Sequence, residues 1–456
     1  MRFENKNIDF VYFIGIGGIG MSALALYFKR MGLDVRGYDR VPSRVTDMLQ
    51  SKGIEVYFYE DETHLTRFDK DRLLVVYTPA IPDEHKELSL ARREGYFLKK
   101  RSEVLGVLSK NYKTIAIGGT HGKTTVTSMV AHVFKSAGKK AVVFSGGIMA
   151  NYDTNFLYED DAEYMIVEAD EYDRSFLQLK ENFINVVTAV DADHLDIYGT
   201  YDELKSTFVK FASSLSEDGV ALVNVKVKDI FAGIDRKVTY GVGMGDFYAK
   251  NVDYKNGSFE FWREGEKLTL LSLNVRGRHN VENSVAAASV AYLSGIEISK
   301  IANALNTFKG NWRRFEVIFS GKGKVYIDDY AHHPEEIKAV LDSVRQIWQG
   351  SKVLVVFQPH LYSRTRDLAR GFAEVLAMAD ELVLLPIYPA REKPIEGVTS
   401  AWLLDMVELE NKYLVEKADL VDFVEKADFD VLLTLGAGDI DRLVKSLAEM
   451  LKQKYS

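Results

Sequence analysis

The sequence predicts an α/β protein of three domains, each built on a mainly parallel sheet, and three observations lead there. At 456 residues the chain is too long for one ordinary core and matches about three domains of ~100–200 residues each. Short apolar runs of strand length alternate with helical patterns, and the alternation restarts near Ser102 and again near Trp312. A glycine-rich loop follows the opening strand of the first series and of the second, and each loop opens a helix.

In the first series, Val11–Ile14, Val35–Tyr38 and Leu73–Tyr77 are β-rich, with helical patterns at Met21–Met31 and Glu84–Arg93. The second begins at Thr114–Ile117, continues with a helix after Lys123, and has further apolar runs at Ala141–Phe144, Tyr164–Val167 and Asn185–Thr188. Between Tyr248 and Leu273 the pattern becomes alternating and polar around a turn at Lys255-Asn256-Gly257, which predicts antiparallel strands added to this domain. A helix over about Asn280 to Leu293 closes it. The third series runs through Val325–Ile327, Val353–Phe357, Leu382–Leu385 and Val431–Leu435, with helices at Glu335–Trp348 and Asp367–Met378. The expected architecture is a Rossmann-like domain over 1–102, a P-loop ATPase-like domain with added antiparallel strands over 103–311, and a second Rossmann-like domain over 312–456.

Composition narrows the function classes. A chain 47% hydrophobic and 27% charged is a soluble globular protein, and a net charge of −8 spread without a basic stripe argues against nucleic acid as a partner. With no cysteine, disulfides, thiolate nucleophiles and Cys-ligated zinc are excluded. The N-terminus has no apolar signal core and the apolar runs fall short of a membrane span, so a cytoplasmic protein without membrane insertion is expected. Oligomeric state is not legible in the sequence.

The first loop is Gly15-Ile16-Gly17-Gly18-Ile19-Gly20-Met21-Ser22. Its glycines permit a tight turn and let a diphosphate approach the backbone at a helix N-terminus. Asp39, about 20 residues on, closes the next strand where a carboxylate can meet a ribose hydroxyl. The pattern fits a dinucleotide or a nucleotide sugar without choosing between them, and close strand–helix packing alone also explains the glycines.

The second loop, Gly118-Gly119-Thr120-His121-Gly122-Lys123-Thr124-Thr125, is the stronger signal. Backbone N–H groups and the helix N-terminus would cradle phosphates, Lys123 would neutralise the β and γ groups of ATP, and Thr124 would ligate Mg2+. Ile117 stands where the common spacing wants its first glycine, so this is a shorter variant. Glu168 and His194 follow later strands of the same expected sheet, where ligands collect at carboxyl ends. A hard magnesium ion suits Glu168, whereas His194 is an unusual ligand for it. Asp170, Glu171, Asp191 and Asp193 read as surface groups or as partners of ligands. In the third domain Arg313-Arg314, Asp328-Asp329-Tyr330-Ala331-His332-His333-Pro334 and Gln358-Pro359-His360-Leu361-Tyr362-Ser363-Arg364 lie at strand ends. Their arginines suit phosphate or carboxylate and their histidines an amine, while Pro334 and Glu335 have the character of a helix first turn.

These motifs, together with Arg278-His279-Asn280-Val281-Glu282-Asn283 and Thr365 after Arg364, resemble the Mur ligases of bacterial peptidoglycan synthesis over essentially the whole chain, and most of all the branch that joins L-alanine to UDP-N-acetylmuramate. The resemblance implies a UDP-sugar domain, a central ATPase and a C-terminal domain that helps bind the amino acid. It assigns Gly15, Gly17, Gly18, Gly20, Met21, Ser22 and Asp39 to the UDP-sugar. Gly119, Thr120, His121, Gly122, Lys123, Thr124 and Thr125 go to ATP, with His279, Asn280 and Asn283 near the adenine. Thr124, Glu168 and His194 serve the metal, and Lys123, Arg314, His332, His360 and Arg364 face the reacting groups. One departure is Leu361, where relatives often carry a second arginine in a His-Arg-Tyr motif. The implied chemistry is attack of a lactyl carboxylate on the γ-phosphate, giving an acyl phosphate that an amine converts to an amide. A murein-peptide ligase shares these motifs and differs in acceptor size. An NAD-dependent dehydrogenase explains the first loop only, and a regulatory ATP switch the second only.

Overall fold

The computed structural model describes residues 1–191, 195–254, 256–275, 277–390 and 392–455, the backbone alone at 195 and 196. The chain divides into two compact units, Met1–Val275 with Asn280–Lys309, and Arg276–His279 with Gly310–Ser456. The first unit contains two large sheets. A five-stranded, all-parallel sheet runs in the order Glu55–Tyr57, Asp34–Tyr38, Phe10–Ile14, Leu73–Tyr77, Phe97–Lys100. Parallel strands need crossovers, and the helix Ile19–Arg30 supplies one, burying Met21, Leu24 and Phe28 among others.

The second sheet is ten-stranded, in the order Thr154–Leu157, Ala141–Met149, Tyr164–Glu168, Lys113–Gly118, Asn182–Val187, Leu215–Asn224, Lys237–Val242, Phe247–Asp253, Ser258–Arg263, Glu266–Ser272. Its central strand, Lys113–Gly118, is buried from Thr114 onward, as a parallel strand covered on both faces must be. The antiparallel strands expected between Tyr248 and Leu273 are present as Phe247–Asp253, Ser258–Arg263 and Glu266–Ser272. They extend the same sheet, because Phe247–Asp253 pairs parallel with Lys237–Val242. Of the turn foreseen there, Lys255 lies outside the described residues, and Gly257 takes φ +67°.

The two sheets of the first unit are tied by a buried amide. Asn155, on the edge strand Thr154–Leu157, donates through Nδ2 to the Ile19 carbonyl and to Ser22 Oγ at the start of the glycine-loop helix. Tyr27, on the same helix, packs against Phe144 and Phe156.

The second unit holds a six-stranded sheet in the order Glu316–Gly321, Lys324–Asp329, Val431–Leu435, Val353–Phe357, Glu381–Leu384, Lys412–Leu414, parallel except for its first pair. The helix expected over Asp367–Met378 is two helices, Tyr362–Asp367 and Ala369–Leu376. They meet at Leu368, whose φ −110° and ψ 13° leave the helical region while the apolar spacing continues past it, so periodicity did not reveal the break. Among the described residues no helix is long and apolar enough to cross a membrane.

Candidate active site

In each sheet of the first unit the strands that end in candidate residues run parallel to one another, so their carboxyl ends collect the loops on one edge of that sheet. At the N-terminal loop, Gly15 has φ +89° and its N–H donates to the Tyr38 carbonyl at 2.8 Å. Gly17 N–H donates to Asp39 Oδ2 at 2.7 Å, and Asp39 Oδ1 accepts from Arg40 N–H at 2.8 Å. The carboxylate expected at a ribose therefore also braces the loop. Gly18 caps the helix Ile19–Arg30 without a side-chain bond, and the first turn carries no acidic residue, so the positive end of the helix is open to an anion. Ser22 is fully buried, its hydroxyl donating to the Ile19 carbonyl at 2.9 Å.

The phosphate loop joins Lys113–Gly118 to the helix Lys123–Ala137. Gly119 (φ +137°) passes so close to Thr188 that a Cβ would stand 2.0 Å from its Oγ1. Gly122 (φ +82°) begins the helix, and there a Cβ would stand 2.7 Å from Asn283 Oδ1, which brings Asn283 to the loop. Thr120 Oγ1 and His121 Nε2 both face Asp191, at 3.3 and 3.4 Å. Thr125 is half-buried in the first turn of the helix.

Lys123 is the electrostatic centre. Its Nζ donates to the Gly119 carbonyl at 2.6 Å and lies 2.8 Å from Glu171 Oε2. Burial opposes its charge, but Glu171, Asp170 and Glu168 together outweigh that and hold the ammonium above the ordinary lysine range. Of the two readings open for Glu171, a surface group or a partner of ligands, the structure favours the second: it is 1% exposed and bonded to Lys123, and the Tyr198 hydroxyl donates to its carbonyl. Burial pushes Glu171 and Glu168 upward, with Lys123 pulling each back. Glu168 accepts from Thr124 Oγ1 at 3.0 Å and from Gly146 N–H at 2.8 Å. His194, like Asp193, lies outside the described residues.

A cavity of about 280 Å³ within this unit lies between the glycine loop and Glu168, the carboxylate that Thr124 of the phosphate loop bonds. Gly18, Gly20 and Met21 line one side and Gly146, Glu168 and Asp170 the other, with Arg101 between.

In the second unit, Lys324–Asp329 leads into Tyr330 and His332, and Val353–Phe357 leads into His360. The His332 and His360 rings are 6.0 Å apart, and Arg364 Nη1 is 3.5 Å from His360 Nδ1. Burial pushes His332 below the usual histidine range. With Nδ1 3.0 Å from the Tyr330 carbonyl, its neutral ring donates there and leaves Nε2 as an acceptor. Arg314 sits over the Tyr330 ring at 5.3 Å. Asp328 and Asp329 are structural. Asp328 pairs with Arg313 at 3.0 Å, and Asp329 accepts from the Phe315 and Ala331 N–H groups at 2.6 and 2.7 Å, its pKa pushed up to about 6 by burial. His333 caps the helix that Pro334 opens, accepting from Glu335 N–H. His279 belongs to this unit, edge-on to Phe315 at 6.0 Å, whereas Asn280, 5% exposed, belongs to the first.

Three family models match the chain in order: Mur ligase family, catalytic domain, at residues 10–113; Mur ligase middle domain at 117–291; and Mur ligase, glutamate ligase domain, at 313–438. The chain belongs to the Mur ligase family. This Mur ligase is 44% identical to the UDP-N-acetylmuramate–L-alanine ligase of Cytophaga hutchinsonii over 98% of both chains. It is also 44% identical to that of Porphyromonas gingivalis strain W83, over 97% of this chain and 99% of the relative. Among solved structures, the UDP-N-acetylmuramate–alanine ligase of Thermotoga maritima superposes with a TM-score of 0.84 at 29% identity, covering 97% of this Mur ligase and 99% of that chain. A murein peptide ligase from Psychrobacter arcticus shares the fold, with a TM-score of 0.71 at 21% identity over 97% and 98% of the chains.

Proposed function

We infer that this chain is an ATP-dependent ligase that joins L-alanine to UDP-N-acetylmuramate in peptidoglycan precursor synthesis. The observation that carries the reading is the shared cavity: the glycine loop suited to a diphosphate and the phosphate-loop partner Glu168 line the same space. A carboxylate on a sugar held at the first loop would thereby come within reach of a γ-phosphate held at the second. We assign 1–102 to the UDP-sugar, 103–311 to ATP and 312–456 to the amino acid, and place the reaction in the cytoplasm.

The Thr124 hydroxyl and the Glu168 carboxylate, 3.0 Å apart, are hard oxygen donors that fit Mg2+. Bound there, the ion would offset charge on the transferring phosphoryl group. Lys123 would add a second positive charge, and the backbone of Gly119 to Gly122 would orient the phosphates. The lactyl carboxylate attacks the γ-phosphorus, ADP leaves, and the amine of L-alanine then attacks the acyl carbon as phosphate departs. The ammonium must first lose a proton, and His332 Nε2 is the acceptor we assign, with His360, Arg364 and Arg314 orienting charge around the acyl group. His279, Asn280 and Asn283 are assigned to the adenine.

Release of ADP measured with each substrate omitted tests this. Turnover should require both the nucleotide sugar and L-alanine. Equal turnover without either would make the protein a plain ATPase, preference for a peptide would make it a murein-peptide ligase, and NADH oxidation with a carbonyl substrate would return the first loop to the dehydrogenase reading.

A further inference from the structure

The cavity between the glycine loop and the Glu168 and Asp170 carboxylates is bordered by a cation that no sequence motif marks. Arg101 opens the helix Arg101–Ser109, on the segment that carries the chain from Phe97–Lys100 in one sheet to Lys113–Gly118 in the other. Its side chain is only 18% exposed, and Nη2 donates to Asp170 Oδ2 at 3.2 Å. The other arm of the guanidinium lies against the glycine loop: a Cβ built on Gly20 would stand 2.8 Å from Nη1. Glycine at position 20 is therefore what lets Arg101 reach this place.

Gly20 is in the first turn of the helix Ile19–Arg30, which has neither a capping side chain nor an acidic residue. A guanidinium and the positive end of a helix thus border the same space, and both favour negative charge there. Asp170 occupies one edge of the fork. A guanidinium has five N–H donors in a planar fork, so a second anion can bind without displacing the first.

We propose that Arg101 is a substrate-positioning residue that holds the diphosphate of the nucleotide sugar against the first turn of the helix Ile19–Arg30. The assignment rests on the reading of this cavity as the UDP-sugar site. It also gives Asp170 a task. Asp170 stands two residues beyond Glu168, so an arginine bonded to both the diphosphate and Asp170 sets the spacing between the sugar nucleotide and the phosphate loop.

Titration calorimetry of the full chain with UDP, UDP-N-acetylglucosamine and UDP-N-acetylmuramate tests the proposal. The first two lack the lactyl carboxylate. Arg101→Gln should weaken all three by a similar factor of roughly 10 to 100, the usual weight of a charge-assisted hydrogen bond, with affinity for a non-hydrolysable ATP analogue within a few-fold of the parent. Arg101→Lys should recover part of the loss, since it restores charge without the fork. A loss confined to UDP-N-acetylmuramate would overturn the proposal by assigning Arg101 to the carboxylate. An equal loss of ATP-analogue affinity would also overturn it, making Arg101 a brace between the sheets. Equal binding of all three ligands by parent and variant would sink the Arg101 assignment alone, and failure of the parent to bind any of them would sink the underlying site reading with it.

Discussion

Removing Glu171 should tighten, not weaken, the binding of ATP. In the structure Lys123 is folded onto its own loop and paired with Glu171 at 2.8 Å, with side-chain exposures of 14% and 2%. At that distance the gross attraction is about 6 kcal/mol for an effective dielectric of about 20. Truncating one partner of a buried pair costs about 3–5 kcal/mol, because the other charge stays buried without its partner. That penalty applies in full to the nucleotide-free protein. With ATP bound, phosphate oxygens take over as counter-charge, so the same truncation costs less. If the phosphates restore about half, the thermodynamic cycle requires tightening by about 1.5–2.5 kcal/mol, roughly 10- to 70-fold. The assay is calorimetric titration of Glu171→Ala with a non-hydrolysable ATP analogue and Mg2+, together with melting curves. The variant should melt lower than the parent without nucleotide, and the gap should narrow with it. ATP binding weakened tenfold or more would refute this reasoning and make Glu171 a residue that aims Lys123 at the phosphates.

Three further outcomes are expected. Gly17→Val should weaken UDP-sugar binding at least ~10-fold and leave ATP affinity unchanged in the same calorimetry, since a Cβ there stands 2.8 Å from Asp39 Oδ2 and 2.9 Å from Thr46 Cγ2; equal loss of both ligands would contradict separate sites. Arg364→Ala should lower turnover at least ~100-fold with little change in ATP affinity, the weight of one preorganised contact to developing charge. A surface pairing with Asp367 would predict a few-fold effect, but Asp367 is 2.7 Å from Arg366. Glu87→Gln should flatten the fall of melting temperature between about pH 4.5 and 8. Burial pushes the Glu87 carboxyl up to about 8 and pushes His64, 2.8 Å away, downward. A carboxyl raised from its unfolded value near 4.5 contributes stability that is complete below that value and lost as pH rises through about 8. The difference should reach roughly a few kcal/mol at pH 9, where His64 is neutral in both states; parallel melting profiles would show that Glu87 is ionised throughout.

What the sequence revealed depended on how local the chemistry is. The phosphate loop was legible because its glycines, Lys123 and Thr124 act within a few residues, between a strand and a helix that periodicity identifies. Glu168 was legible because it ends an apolar strand. Glu171, three residues on in an acidic run, could be read either as a surface group or as a partner of ligands, since no local pattern records that it meets a lysine 48 residues earlier. Arg101 was silent for the same reason: its carboxylate partner is 69 residues away and its other neighbour is a glycine with no side chain to mark the contact. Gly146 had a signal in the pair Gly146-Gly147 at the end of an apolar run, which marks a close backbone approach. A Cβ there would stand 2.3 Å from the Glu168 carboxylate. In the second unit the histidines were found together, but only the structure separated His332, with a free ring nitrogen, from His333, which caps a helix.

The amide of Asn155 has a consequence for rate. By fastening the first turn of the glycine-loop helix to an edge of the ten-stranded sheet, it ties the glycine loop to the sheet that carries the phosphate loop, so that, on the proposed function, the two nucleotide sites would be spaced before either is filled. Two reactants captured independently must otherwise surrender translational and rotational freedom relative to one another at every encounter, a loss that well-oriented intramolecular reactions avoid by about 7–11 kcal/mol. Here part of that alignment is settled once, when the chain folds, and is then available to each catalytic cycle. On that reading, a side chain assigned to neither nucleotide would serve the kinetics of the reaction as well as the stability of the fold.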